Sequence, residues 1–198
     1  MKTLPRILKE SANGYQTFTT DDELFSKRII FFTDDVTSES CQNLIKSLMY
    51  LESQNNDEIT IYINSPGGEV NSGLAVYDYI RLMKSPVRTV CIGTAASMGS
   101  ILFLAGQKRE MFQHTRLMIH DPSYNGGSLA GMKPLQIQSL LEDIIKVRNI
   151  NATIIAERTG LPIDTIYKMT EKDTYLNADQ AFKMGFATKI IYTTADLD

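Results

Sequence analysis

Histidine is scarce in this chain: His114 and His120 are the only two among 198 residues. Acid–base chemistry by imidazole near neutral pH therefore has two candidates and no more. Cysteine is equally rare. Cys41 and Cys91 lie far apart, each inside an apolar-patterned segment, which reads as two buried free thiols rather than a disulfide or a ligand pair. No HExxH, CxxC or GxxxxGK[ST] occurs, so the sequence carries no metal or nucleotide motif and no cofactor is expected. No apolar run approaches the roughly 18 residues of a membrane span. The opening MKTLPRILKESANG has no long apolar centre and no small-residue cleavage site, so a signal peptide is not expected and a cytoplasmic location is. An excess of positive charge is missing too. The 20 basic and 23 acidic side chains are mixed along the chain, with a net charge of −3. Nucleic acid and anionic membrane surfaces call for a basic face, so both are excluded as partners. What remains is a 43% hydrophobic content, enough for one domain with a real core.

Residues 1–20 are polar, with Asn13-Gly14 as a turn signal and an extended arm expected over 17–20. From Arg28 onward strands and helices alternate. Residues 27–32 read as a strand, and Thr37 can cap a helix with Cys41, Leu44, Ile45, Leu48 and Leu51 on one face. Ile59, Ile61 and Ile63 alternate with Thr60 and Tyr62, a strand that ends at Asn64-Ser65-Pro66-Gly67-Gly68. A helix over 71–84 stops before Pro86. A strand over 87–92 follows, then a short helix opens at Ser97 and ends at Ala105, with Gly106 beyond it. The strand 116–119 delivers His120. A long helix over 133–158 has Pro134 in its first turn and ends at Gly160 and Pro162. A helix near 178–184 and a strand near 187–192 close the chain. This rhythm implies right-handed crossovers and a mainly parallel α/β sheet, with ligands collecting beyond the strands' carboxyl ends. The Gly67-Gly68 turn, Ser97 and His120 each follow a strand end and meet on one edge if those strands pair.

Ser97 stands in GTAASMGS, where every neighbour is small. A serine hydroxyl becomes nucleophilic when a base accepts its proton. His120, where strand becomes loop, is preferred to His114 at the opposite end of the same alternation. Acyl transfer also needs donors for the oxyanion. Met98 offers a backbone amide at the positive end of a helix, and the Gly67-Gly68 turn can present a second. A carboxylate to hold the histidine cannot be chosen by spacing: Asp121, Asp143, Asp164, Asp173 and Asp179 all remain open.

YINSPGGEV, VCIGTAASMGS, RLMIHDP, IIAERTG and EKDTYLNADQAFKMGFATKII resemble, in order and spacing, the proteolytic subunits of Clp proteases (the ClpP family) over about residues 24–192. The resemblance implies a ClpP/crotonase-like fold of repeated β-β-α/β-α units with a mainly parallel sheet and a protruding helix-strand handle, about 121–158. It implies a gating segment over 1–23 and a single peptidase domain over 24–198. Carried over by residue, Ser97 is the nucleophile, His120 the base and Asp173 the triad acid, with Gly68 and Met98 as oxyanion amides. The family forms two stacked heptamers fed with unfolded protein by a hexameric AAA+ unfoldase of the ClpX, ClpA or ClpC type, which uses the ATP. Leu141, Ile144, Ile145 and Ile154 on the handle helix suit burial against partners, although such a stripe alone reads as core packing. Tyr62 and Leu48 match surface positions that dock the unfoldase; from pattern alone both read as core.

Three departures from the family pattern stand out. Asp121 replaces the usual Gln after the histidine, and a carboxylate pointing inward there would favour the protonated imidazole. Glu171-Lys172 replaces Asp-Arg, losing the planar fork of arginine in ring-to-ring pairing. Thr19-Thr20-Asp21-Asp22-Glu23 puts an acidic patch near the gate. Beside the serine endopeptidase reading stand two others: a weakly active or structural paralog in mixed rings, and a crotonase-like acyl-CoA enzyme. The intact Ser97, His120 and Asp173 disfavour both a dead subunit and the acyl-CoA chemistry.

Overall fold

The computed structural model describes residues 6–11, 14–124 and 126–197. The first described elements are two antiparallel paired strands, β1 (Arg6–Ser11) and β2 (Gly14–Thr19), followed by helix α1 (Thr20–Ser26). An extended arm is expected over 17–20, but the helix begins inside it. Thr19 accepts from the Asp22 amide while the Asp22 carboxylate accepts from the Thr19 amide, and Asp21, Asp22 and Glu23 fill a first turn that favours negative charge. The expected acidic patch is therefore a helix start. Asn13 lies outside the described residues.

The body is a seven-stranded sheet. Strands β3 (Ile29–Phe32), β4 (Ile59–Ser65), β5 (Val87–Ala96), β6 (Lys108–Phe112) and β9 (Lys189–Ile191) run parallel in that order. Strand β5 is ten residues long and forks the sheet. Its first half pairs with β6 and its second half, from Thr94, pairs in parallel with β7 (Arg116–Ile119). Strand β8 (Thr174–Asn177) then adds antiparallel to β7.

Helices α2 (Ser38–Gln54) and α3 (Val70–Leu82) connect the first parallel strands. Thr37 caps α2 through a capping box with Ser40. The apolar face of α2 buries Cys41, Leu44, Leu48 and Leu51, joining Ile59, Ile61 and Ile63 of β4 in one core. Each such aliphatic side chain contributes roughly 1.5–3 kcal/mol on burial. Leu48 has no exposed surface at all, which corrects its expected place in a docking cleft. Tyr62 points to the other face of the sheet, where its ring stacks on Phe31 with centroids 4.9 Å apart.

Helix α4 (Met98–Ala105) is buried along its whole length, as its run of apolar and small residues requires. Helix α5 (Pro134–Thr159) starts with Pro134 at its first turn and ends at Gly160 in the left-handed conformation. Only Ala152, Ile154 and Ile155 of α5 are buried, while Leu135, Leu141 and Ile145 are exposed. Ile154 thus belongs to the chain's own core, unlike the stripe ahead of it. No strand forms among the described residues between β7 and α5, so the handle is a helix led in by loop and turn. Helices α6 (Ile163–Thr170) and α7 (Ala178–Lys183) flank β8. No helix among the described residues is long and apolar enough to cross a membrane.

Both cysteines are free and buried. Burial pushes the Cys91 thiol up to about 11 and raises Cys41 as well. Neither thiol is expected to react with an aromatic disulfide reagent at neutral pH until the chain is unfolded. Because the folded pKa of Cys91 is raised, its contribution to stability is present below the unfolded value of 9.0 and is lost as pH rises through about 11. Urea melts on either side of that window should show the loss, and Cys91→Ala should reduce it. Equal reactivity in the folded and unfolded chain would contradict this account.

Candidate active site

Three strand ends build the site. Strand β4 stops at Ser65, and the chain turns through Pro66, Gly67 and Gly68 with φ of +98° at Gly67 and +148° at Gly68. The turn is pinned to Val36: the Val36 amide donates to the Gly67 carbonyl (2.8 Å), and the Glu69 amide donates to the Val36 carbonyl (2.7 Å). A side chain at Gly68 would overlap the Val36 carbonyl oxygen. One at Gly67 would place its Cβ 2.7 Å from the Ser97 Cβ and 2.9 Å from the Met98 nitrogen. The glycines therefore let this turn lie directly against Ser97 and the first amide of α4.

Ser97 links β5 to α4 with φ 52° and ψ −124°, a conformation that costs a residue with a side chain about 1–3 kcal/mol. The surroundings hold it there. Its amide donates to the Met118 carbonyl (2.9 Å), and its carbonyl accepts from the Ser100 amide (2.9 Å) and hydroxyl (2.6 Å). The small neighbours have packing reasons. Ala95 and Ala96 are buried, and Gly99 approaches Ser65 so closely that an added Cβ would sit 2.9 Å from its carbonyl oxygen. The result is a hydroxyl thrown outward at a sharp strand-to-helix turn.

His120 follows β7, and its Nε2 lies 2.8 Å from the Ser97 Oγ. Its Nδ1 lies 3.2 Å from Asp173 Oδ1. The second contact follows from strand register. Strands β7 and β8 pair antiparallel with Ile119 opposite Thr174, so the next residues along, His120 and Asp173, fall opposite each other. The His120 side chain is 27% exposed and that of Asp173 is 60% exposed. A cleft of about 660 Å³ opens over this row, lined by the Pro66–Gly68 turn, Val36, Val70, Ser97, His120 and Pro122 among others. Among the described residues, no group of three or more His, Cys, Asp or Glu side chains could hold a metal ion.

The remaining candidates lie elsewhere. His114 borders a separate pocket of about 410 Å³ with Ile92, Phe112, Ile191 and Tyr192. Asp143 pairs with Lys146 on α5, while Asp164 and Asp179 sit in the first turns of α6 and α7. Asp121 does not turn toward His120. Its Oδ2 accepts from Arg148 Nε at 2.7 Å, because α5 offers a guanidinium on that side. Sequence reasoning missed Arg148 altogether, since a contact between positions 121 and 148 leaves no spacing signature.

A hydroxyl, an imidazole and a carboxylate joined in one row at the carboxyl edge of a parallel sheet are the equipment of a hydrolase. The family model for Clp protease matches residues 12–194, and the chain belongs to that family. The protein is a ClpP-type peptidase, and its mixed α/β fold with a mainly parallel seven-stranded sheet agrees with that membership.

Proposed function

We propose that the chain is a serine endopeptidase subunit that cuts unfolded polypeptides into short peptides. The 2.8 Å approach of His120 Nε2 to Ser97 Oγ carries the reading. Ser97 Oγ attacks the scissile carbonyl carbon while His120 Nε2 takes its proton. The resulting oxyanion is met by the Gly68 and Met98 amides. His120 then protonates the leaving amine, the C–N bond breaks, and an acyl ester stays on Ser97. Water gives a proton to His120, attacks the ester and releases the carboxylate, and the proton returns to Ser97. Asp173 accepts from His120 Nδ1–H, fixing the tautomer and balancing the imidazolium.

Family membership supports a ring-forming oligomer that works with unfoldases. We take the assembly to be two stacked heptamers, of this chain alone or mixed with a paralog, coupled to an AAA+ partner that hydrolyses the ATP. Exposure of Leu135, Leu141 and Ile145 along α5 suits a ring-to-ring contact. For the unfoldase, the stacked Phe31–Tyr62 pair offers an apolar surface, with Phe31 half-exposed.

A fluorophosphonate probe tests the reading. Wild-type protein should be labelled at Ser97, and Ser97→Ala should not. An assembled wild-type particle that takes no label would favour a structural subunit in mixed rings and overturn the proposal.

A further inference from the structure

Asp173 raises a positioning problem. Its side chain is 60% exposed and meets His120 through one contact of 3.2 Å, so burial does not hold the pair in place. The β7–β8 ladder sets the two residues opposite each other, and beyond its last pair, Ile119 and Thr174, a guanidinium adds a further tie between the segments that carry them. Arg148 Nε donates to Asp121, the residue next to His120, at 2.7 Å. The same guanidinium lies over the Tyr167 ring, 4.5 Å from its centroid. Tyr167 belongs to α6, the helix that leads into the turn bearing Asp173. Its hydroxyl donates to Asn149 Oδ1 (3.0 Å), closing back onto α5, and the Asp121 amide donates to the Thr170 carbonyl at the end of α6 (2.8 Å).

Resting on the reading that Ser97, His120 and Asp173 act together, we propose that Arg148 is a positioning residue, clamping the Asp121 and Tyr167 segments so that His120 and Asp173 stay aligned. The planar guanidinium suits both jobs, offering an edge to a carboxylate and a face to a ring, which lysine cannot do at once. A pair whose side chains are 30% and 32% exposed adds little to global stability, so its effect belongs in the geometry of the site. Small displacements of reacting groups are costly: about an ångström can lower a rate by roughly a hundredfold.

The test uses the full-length assembled protein, a short fluorogenic peptide and the fluorophosphonate probe. Arg148→Ala should lower kcat and the labelling rate together, by roughly ten- to a hundredfold, with KM and particle mass unchanged. Arg148→Lys should recover only part of the loss. Asp121→Asn should lower kcat less, and Asp121→Ala added to Arg148→Ala should cost nothing further. Lys146→Ala, which removes a neighbouring exposed pair on the same helix, should leave both rates alone. Wild-type labelling and kcat in Arg148→Ala, a rise in KM alone, or additive losses in the double variant would each overturn the clamp. Should Arg148→Ala fail to assemble, Asp121→Asn, which keeps the side chain's size, decides by the same readouts. Absence of label in the wild type strikes instead at the endopeptidase reading.

Discussion

Ser97→Ala is expected to lower peptide hydrolysis by on the order of 10⁴- to 10⁶-fold, and His120→Ala by a similar factor. The two groups share one proton at 2.8 Å, so either is of little use without the other. The double variant should therefore be no slower than the worse single variant, because groups that act as a unit are strongly non-additive. Asp173→Asn should cost less, on the order of 10³-fold, below the roughly 10⁴ of a buried triad carboxylate. Its side chain is largely in water, where the charge that balances an imidazolium is screened. The measurement is kcat/KM for a fluorogenic peptide on particles of verified mass. Losses that multiply in the double variant would show that Ser97 and His120 work separately and would sink the mechanism.

Gly67→Ala should cost at least about a hundredfold in kcat, since displacement on the scale of an ångström is enough for that. Two effects combine there. The backbone φ of +98° disfavours any side chain, and the new Cβ would press on the Ser97 Cβ, the Ala96 carbonyl and the Met98 amide within 2.7–2.9 Å. Gly131→Ala separates the two. That glycine also has positive φ, +83°, yet nothing lies within 4 Å of its would-be Cβ. It should lose about 1 kcal/mol of stability and little rate. Thermal melts and peptide kinetics on both variants give the comparison. Wild-type kcat in Gly67→Ala would mean that this turn does not shape the oxyanion side of the site.

Much of the site was legible because parallel sheets bring strand ends together. Alternation at Ile59, Ile61 and Ile63 located β4, and the turn after it, Ser97 and His120 all fell at ends of strands that do pair. Asp173 was not legible from local pattern. Its place depends on β8, four residues reading Thr-Tyr-Leu-Asn, too short and mixed to announce a strand. Only the family resemblance singled it out. Strand β6 was hidden for another reason: Lys108, Arg109 and Glu110 stand in a row and give no apolar alternation, yet Glu110 is buried against Arg88 and Arg109 donates to the Phe186 and Gly185 carbonyls. At Leu48 the helical period was the better guide, placing it in the core where the resemblance placed it outside.

The β7–β8 pairing has a consequence for chain length. His120 and Asp173 are 53 positions apart, yet their strands staple the two ends of everything between them. The later turns of α5 and helix α6 are packed on the body. Only the exposed part before Arg148 is therefore an excursion, and the entropy of closing such a loop grows only with the logarithm of its length. Doubling it would cost about 0.6 kcal/mol. The stretch from 122 to 147 could then gain or lose whole helical turns, altering how far the handle reaches, while both ends of the row above the cleft stay where the ladder holds them.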